Sequence, residues 1–196
     1  MSLSRLLLVA ASSKKYIAGK GNDKVIIKPL SRTFMSGNDP YTGEVILFFQ
    51  LDDPRDQEKL VSRSLGMQAN DKRCDGLIFY AQDEEEEKVI CLVEMKSTNI
   101  GEAAQQIKST KNHIQGLLRE ECDTHCHRQL QRIKWKASFY HHGASQDEVA
   151  SVLKQLKKEG FADYNDFTPA NNDIGPLLRG KMSAKEMANK YKHRKL

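Results

Sequence analysis

Asp75, Glu94 and Lys96 are the residues whose types and spacing could carry chemistry. Glu94 and Lys96 stand two apart at the end of the apolar run Val89-Ile90-Cys91-Leu92-Val93. In a strand, that spacing projects both from one face. Burying either charge alone is costly, so both are tolerated there only if they pair with each other or serve a site. Asp75 lies near the start of an earlier segment of strand character, 74–82, which the acidic run Asp83-Glu84-Glu85-Glu86-Glu87 separates from a second, 88–97. Folding the two about that run as a solvated hairpin loop brings Asp75 beside Glu94, and a register pairing 75 with 94 sets both carboxylates on one face. Two carboxylates and an amine offer hard oxygen ligands for Mg²⁺ and a cation near an attacking water and a scissile phosphate, the equipment of phosphodiester hydrolysis. The plainer alternative is a Glu94–Lys96 ion pair at a strand end, with Asp75 starting a turn at Gly76.

The elements that must position these residues follow from composition and period. The run 89–93 is apolar at successive positions, which predicts a central strand covered on both faces. A long helix is expected over 101–121, with Ala103, Ile107, Ile114, Leu117 and Leu118 on one stripe. Before the hairpin, Asp53-Pro54 opens a helix that runs to Leu65 and ends at Gly66, by the rule of proline at the first helical position and glycine past the end. Earlier still, 24–30 and 44–51 read as strands, separated by turn signals at Gly37-Asn38-Asp39-Pro40 and Thr42-Gly43. After the long helix come a strand over 133–141, a helix over 146–159 ended by Gly160, and a polar loop over 168–175. The expected fold is α/β, with a mixed sheet flanked by helices.

Asp75-Gly76, with eighteen residues between Asp75 and Glu94, and then Glu94-Met95-Lys96 closing an apolar strand, resembles the PD-(D/E)xK nuclease superfamily of restriction endonucleases, junction resolvases and exonucleases. The resemblance covers roughly 53–141 and departs from the family's name at one position, where Cys74 stands in place of proline. It implies a restriction-endonuclease-like αβββαβ core with N-terminal β additions over 24–51. It implies a Mg²⁺- or Mn²⁺-dependent nuclease acting on nucleic acid, DNA in the first place. Asp75 and Glu94 would be the metal-binding carboxylates and the Met95 carbonyl a further ligand, while Lys96 would orient the water or steady developing charge. Glu58, on the helix before the hairpin, and Gln106, on the helix after it, would join the catalytic set. The alternative of a different class is a binding or scaffold protein that keeps such a fold without cleaving anything.

With 196 residues, 39% hydrophobic and 29% charged, the chain is too apolar for disorder and too polar for a membrane protein. The opening run Leu6-Leu7-Leu8-Val9-Ala10-Ala11 is short of a signal-peptide core, and Cys74, Cys91, Cys122 and Cys126 show no disulfide spacing. A cytoplasmic protein with no membrane partner is expected, with a homodimer as an open possibility. The net charge of +5 is uneven: 179–196 alone carry +6, which leaves −1 for the rest. The domain therefore spans 1–178, followed by a basic tail in which Ser183 and Glu186 have capping-box spacing. That tail would touch a polyanion or simply keep the chain soluble. Three further signals carry less weight. Cys122, His125 and Cys126 could share a helix face as zinc ligands, but they lack a second cysteine pair. His141-His142 reads as a solvated strand end. Trp135 reads as core in a strand whose lysines, Lys134 and Lys136, point outward.

Overall fold

The computed structural model describes residues 16–18, 21–28, 33–38, 44–52, 60–68, 70–82, 88–96, 99–120 and 131–180. Its strands are β1 (Tyr16–Ala18), β2 (Gly21–Lys28), β3 (Thr33–Asn38), β4 (Glu44–Gln50), β5 (Gly76–Gln82), β6 (Lys88–Met95), β7 (Ile133–Tyr140) and β8 (Asp163–Phe167). The helices are α1 (Leu60–Ser64), α2 (Ala103–Glu120), α3 (Gln146–Lys158) and α4 (Gly175–Leu178). One mixed sheet has the order β1-β4-β5-β6-β7-β8, and β2 and β3 form a separate two-stranded ribbon. Among the described residues no helix is long and apolar enough to cross a membrane.

The chain order explains the change of direction within the sheet. Strands β4, β5 and β6 pair antiparallel, whereas β6, β7 and β8 pair parallel. A parallel neighbour requires a crossover, and α2 and α3 supply the two crossovers. Both helices pack on the same side of the sheet, where Ile107, Ile114, Val152 and Leu156 join Phe49, Leu77, Leu92, Ala137 and Phe139 in one core cluster. The α2 stripe Ala103, Ile107, Ile114 and Leu118 is buried at helical spacing, as its period requires. The opposite side holds Ile46, Phe48, Ile78, Cys91, Val93, Tyr140 and Phe167, covered by Ile174, Leu177 and Leu178 of the α4 region. Strand β6 is buried along its middle on both faces, which is why its sequence is apolar without alternation.

Several expectations change. The segment 44–50, read as an N-terminal addition, pairs along its whole length with β5 inside the main sheet. Among the described residues, β5 and β6 lie between α1 and α2, and β4, which completes the antiparallel meander, precedes α1. Gly37 and Asn38, expected in a turn, belong to β3, whose pairing with β2 includes the partners Gly21 and Asn38. Lys136 does not point to water. It is buried, and its amine donates to the Leu177 and Leu178 carbonyls at 2.6 and 3.3 Å. Residues 163–167, given no element, are strand β8, and 175–178 close as the short helix α4.

Candidate active site

The carboxylate pair is built where the β5–β6 ladder runs out. Gly76 pairs with Val93, so the next step sets residue 75 opposite residue 94, the register that puts both carboxylates on one face. Beyond that step the β5 and β6 backbones no longer pair with each other, and side chains take over. The Asp75 N–H donates to Glu94 Oε2 at 3.1 Å, and the Met95 N–H donates to Asp75 Oδ2 at 2.6 Å. Lys96 closes the group by donating to Glu94 Oε1 at 2.9 Å. Asp75 and Glu94 are buried, whereas the Lys96 side chain keeps a quarter of its surface, 25%, exposed.

Neighbouring elements fix Asp75 from three sides. Its carbonyl accepts from the Leu51 N–H at 2.8 Å, which continues the β4–β5 ladder by one residue. Helix α2 holds the approach to it: the Cys74 N–H donates to Thr110 Oγ1 at 2.9 Å, and Gln106 Nε2 donates to the Arg73 carbonyl at 3.1 Å. The Arg73 guanidinium donates in turn to the Gln68 and Asp71 carbonyls, tying down the loop after α1. Gly66, with φ of +76°, ends α1 in a left-handed conformation that glycine adopts without cost. Gly76 is required by close approach, because a Cβ there would meet the ring of Phe48. On the β7 side, the Lys96 N–H donates to the Tyr140 carbonyl at 2.9 Å.

Electrostatics sets the protonation of the pair. Burial, and then the Asp75 carboxylate, push the Glu94 carboxyl up to about 7, against the pull of Lys96 and the Asp75 N–H. A carboxyl poised there can bind a cation or exchange a proton near neutrality. The Cys74 thiol beside it is pushed up by burial and by the Glu94 charge, so it stays protonated and is no nucleophile.

Asp75, Glu94 and Lys96 are thus brought together. The Met95 N–H belongs to the same group, while its side chain packs against the opposite core cluster. Gln106 is tied to the backbone two residues before Asp75, and its Oε1 is buried without a hydrogen-bond partner. Glu58, the cluster Cys122, His125 and Cys126, and the Ser183–Glu186 box lie outside the described residues. The expectation for His141 is overturned: it is buried, not solvated, and Nε2 sits 3.3 Å from Asp166 Oδ2. Only His142 is exposed. Sequence reasoning missed Asp166 altogether, because a strand reading Asp163-Tyr164-Asn165-Asp166-Phe167 carries no apolar alternation to give it away. No protein-family model, no curated protein and no solved structure matches this chain.

Proposed function

We propose that the protein is a divalent-metal-dependent nuclease with a restriction-endonuclease-like core, hydrolysing phosphodiester bonds in DNA. The observation that carries this reading is the convergence of Asp75, Glu94 and Lys96 at one buried sheet end, a costly arrangement for three charges that a reaction at that point would justify. The donor set fits a hard cation: two carboxylates from adjacent strands, one of them pushed towards neutrality by the other. Among the described residues no third acidic, histidine or cysteine side chain completes a metal cluster, so further ligands would be the Met95 carbonyl, water or substrate oxygens, a mix that suits Mg²⁺. Asp75 and Glu94 would hold the ion. When bound, it would supply charge stabilisation at the phosphate and a lowered pKa for a coordinated water. Lys96, partly exposed beside Glu94, orients the attacking water and offsets negative charge as phosphorus becomes five-coordinate.

One observation favours the non-catalytic alternative. Both carboxylates accept backbone N–H groups that would otherwise end the ladder unpaired, which is a structural task sufficient to keep them there. Incubating the protein with plasmid and single-stranded DNA in Mg²⁺ or Mn²⁺ separates the two. The nuclease reading expects cleavage that disappears in Glu94→Gln and Lys96→Ala while both variants stay folded. If the unaltered protein cleaves no DNA or RNA polymer with either metal, the scaffold reading replaces it.

A further inference from the structure

The parallel half of the sheet extends the polar group beyond the two carboxylates. In register, Glu94 lies beside Phe139 and Phe139 beside Asp166, so these three share a row and a face across β6, β7 and β8. The bonds from the Lys96 N–H to the Tyr140 carbonyl and from the His141 N–H to the Phe167 carbonyl carry both ladders one step further. Lys96 and His141 therefore stand side by side on the next row, on that same face. The His141 ring stacks on Phe139 with centroids 5.9 Å apart, and Nε2 meets Asp166 Oδ2 at 3.3 Å. An ionised carboxylate can only accept, so Nε2 carries the hydrogen and Nδ1 is the nitrogen left for other work. Nδ1 is buried and has no hydrogen-bond partner.

This arrangement is expensive for a purely structural pair. A buried ring nitrogen without a partner is costly, and an apolar side chain at the end of β7 would avoid that cost. The place is also apt. The pair sits at the carboxyl ends of the parallel strands, where open α/β sheets form their crevices. In an in-line displacement the entering and leaving oxygens lie on opposite sides of phosphorus. A phosphate lying across the ends of β6 and β7, with its water on the Glu94 and Lys96 side, presents its leaving oxygen on the His141 side.

We propose that His141, held by Asp166, is the proton donor to the leaving oxygen of the scissile phosphate. The inference rests on the nuclease reading and adds to it a residue which that reading does not use. The balance is complete. Water oxygen forms a bond to phosphorus, the bond from phosphorus to the leaving oxygen breaks, and its electron pair takes the proton from Nδ1 of the imidazolium. The water's proton goes to solvent, from which the imidazole is protonated again. The charged groups around His141 are Asp166 on β8, Lys96 just after β6 and Glu148 in the first turn of α3. The Glu148 carboxyl is held low mainly by the Ser145 N–H and hydroxyl, with a smaller contribution from His141.

The test compares an ordinary DNA duplex with duplexes in which sulfur replaces the bridging 3′ or 5′ oxygen at one cleavable position, in Mn²⁺ throughout. A thiol ionises near pH 8.5, roughly, so a sulfur leaving group departs without a proton. His141→Asn should lower kcat on the oxygen substrate by about 10²–10⁴-fold, the usual range for a lost general acid, with KM nearly unchanged. On the sulfur isomer that carries the leaving atom, it should stay within about threefold of the unaltered protein, since general-acid assistance is no longer needed. A second measurement needs no variant: the fall in kcat at alkaline pH should appear with the oxygen substrate and vanish with the sulfur one. Equal losses on both substrates, or the same alkaline fall on both, would overturn the proton-donor role and leave the nuclease reading standing. Failure of the unaltered protein to cleave either substrate would overturn the nuclease reading and this role with it.

Discussion

Glu94 carries two opposing demands, and its titration exposes them. As an ordinary carboxyl it ionises near 4.5, and in the fold it is pushed up to about 7, first by burial and then by Asp75. The folded state therefore holds the Glu94 proton more tightly than the unfolded chain does. The resulting stabilisation is fully present below pH 4.5 and is lost as pH rises through 7, by an amount on the order of 3 kcal/mol. Glu94→Gln keeps the shape and the acceptor for the Asp75 N–H but cannot ionise. Urea unfolding at pH 5 and pH 8 should show a large stability difference in the unaltered protein and a much smaller one in the variant. Equal differences in both would mean that burial and the Asp75 carboxylate do not push the Glu94 carboxyl up. Millimolar Mg²⁺ at pH 8 should raise the melting temperature of the unaltered protein, because a cation bound only by the folded state stabilises it by mass action. The variant should not respond.

At the scale of elements, the sequence disclosed whatever its own period encodes and missed what a neighbour imposes. The stripe on α2 and the doubly buried β6 follow from spacing alone, whereas the sequence allows the pairing of 75 with 94 and the β5–β6 ladder selects it. Lys134 and Lys136 show the limit. Their alternation puts them on one face of β7, yet Lys134 is exposed while Lys136 lies under α4. Nothing near residue 136 in the chain announces a helix some forty positions later. His141 and β8 were hidden for the same reason, since each takes its burial from a parallel partner strand rather than from its own pattern. The Lys136 amine is in effect the C-cap of α4: it donates to the Leu177 and Leu178 carbonyls and lies 3.9 Å from Asp163. Lys136→Met keeps the stem and removes the donor, leaving buried carbonyls and a carboxylate without it. It should cost roughly 2–4 kcal/mol in chemical denaturation, while Lys134→Met, on the exposed position, should stay within about 0.5 kcal/mol.

Across the described residues, apolar clusters cover both faces of the sheet, and the polar group lies at the end where β6, β7 and β8 finish. The net positive charge available to attract a polyanion is concentrated in residues 179–196 of the sequence, +6 against −1 for the remainder. Where to cut for a test follows from α4. The Arg179 and Gly180 N–H groups donate to the Gly175 and Leu177 carbonyls at 3.0 and 3.3 Å, so a chain ending after Leu178 would lose part of a fold element along with charge. Ending after Gly180 spares those bonds and still removes six cationic side chains and one acid. If those cations displace condensed counterions, each lost phosphate contact should lower the slope of log affinity against log salt by about 0.9 on duplex DNA. The shortened chain should therefore bind DNA more weakly at low salt, converge with the full chain at high salt, and cleave at an unchanged rate once substrate saturates. Fluorescence anisotropy across a salt series, with single-turnover cleavage at saturating enzyme, reads all three quantities. Parallel salt slopes for the two chains would show that the basic residues make no phosphate contacts. A lower saturated rate in the shortened chain would instead place part of 181–196 at the reacting phosphate.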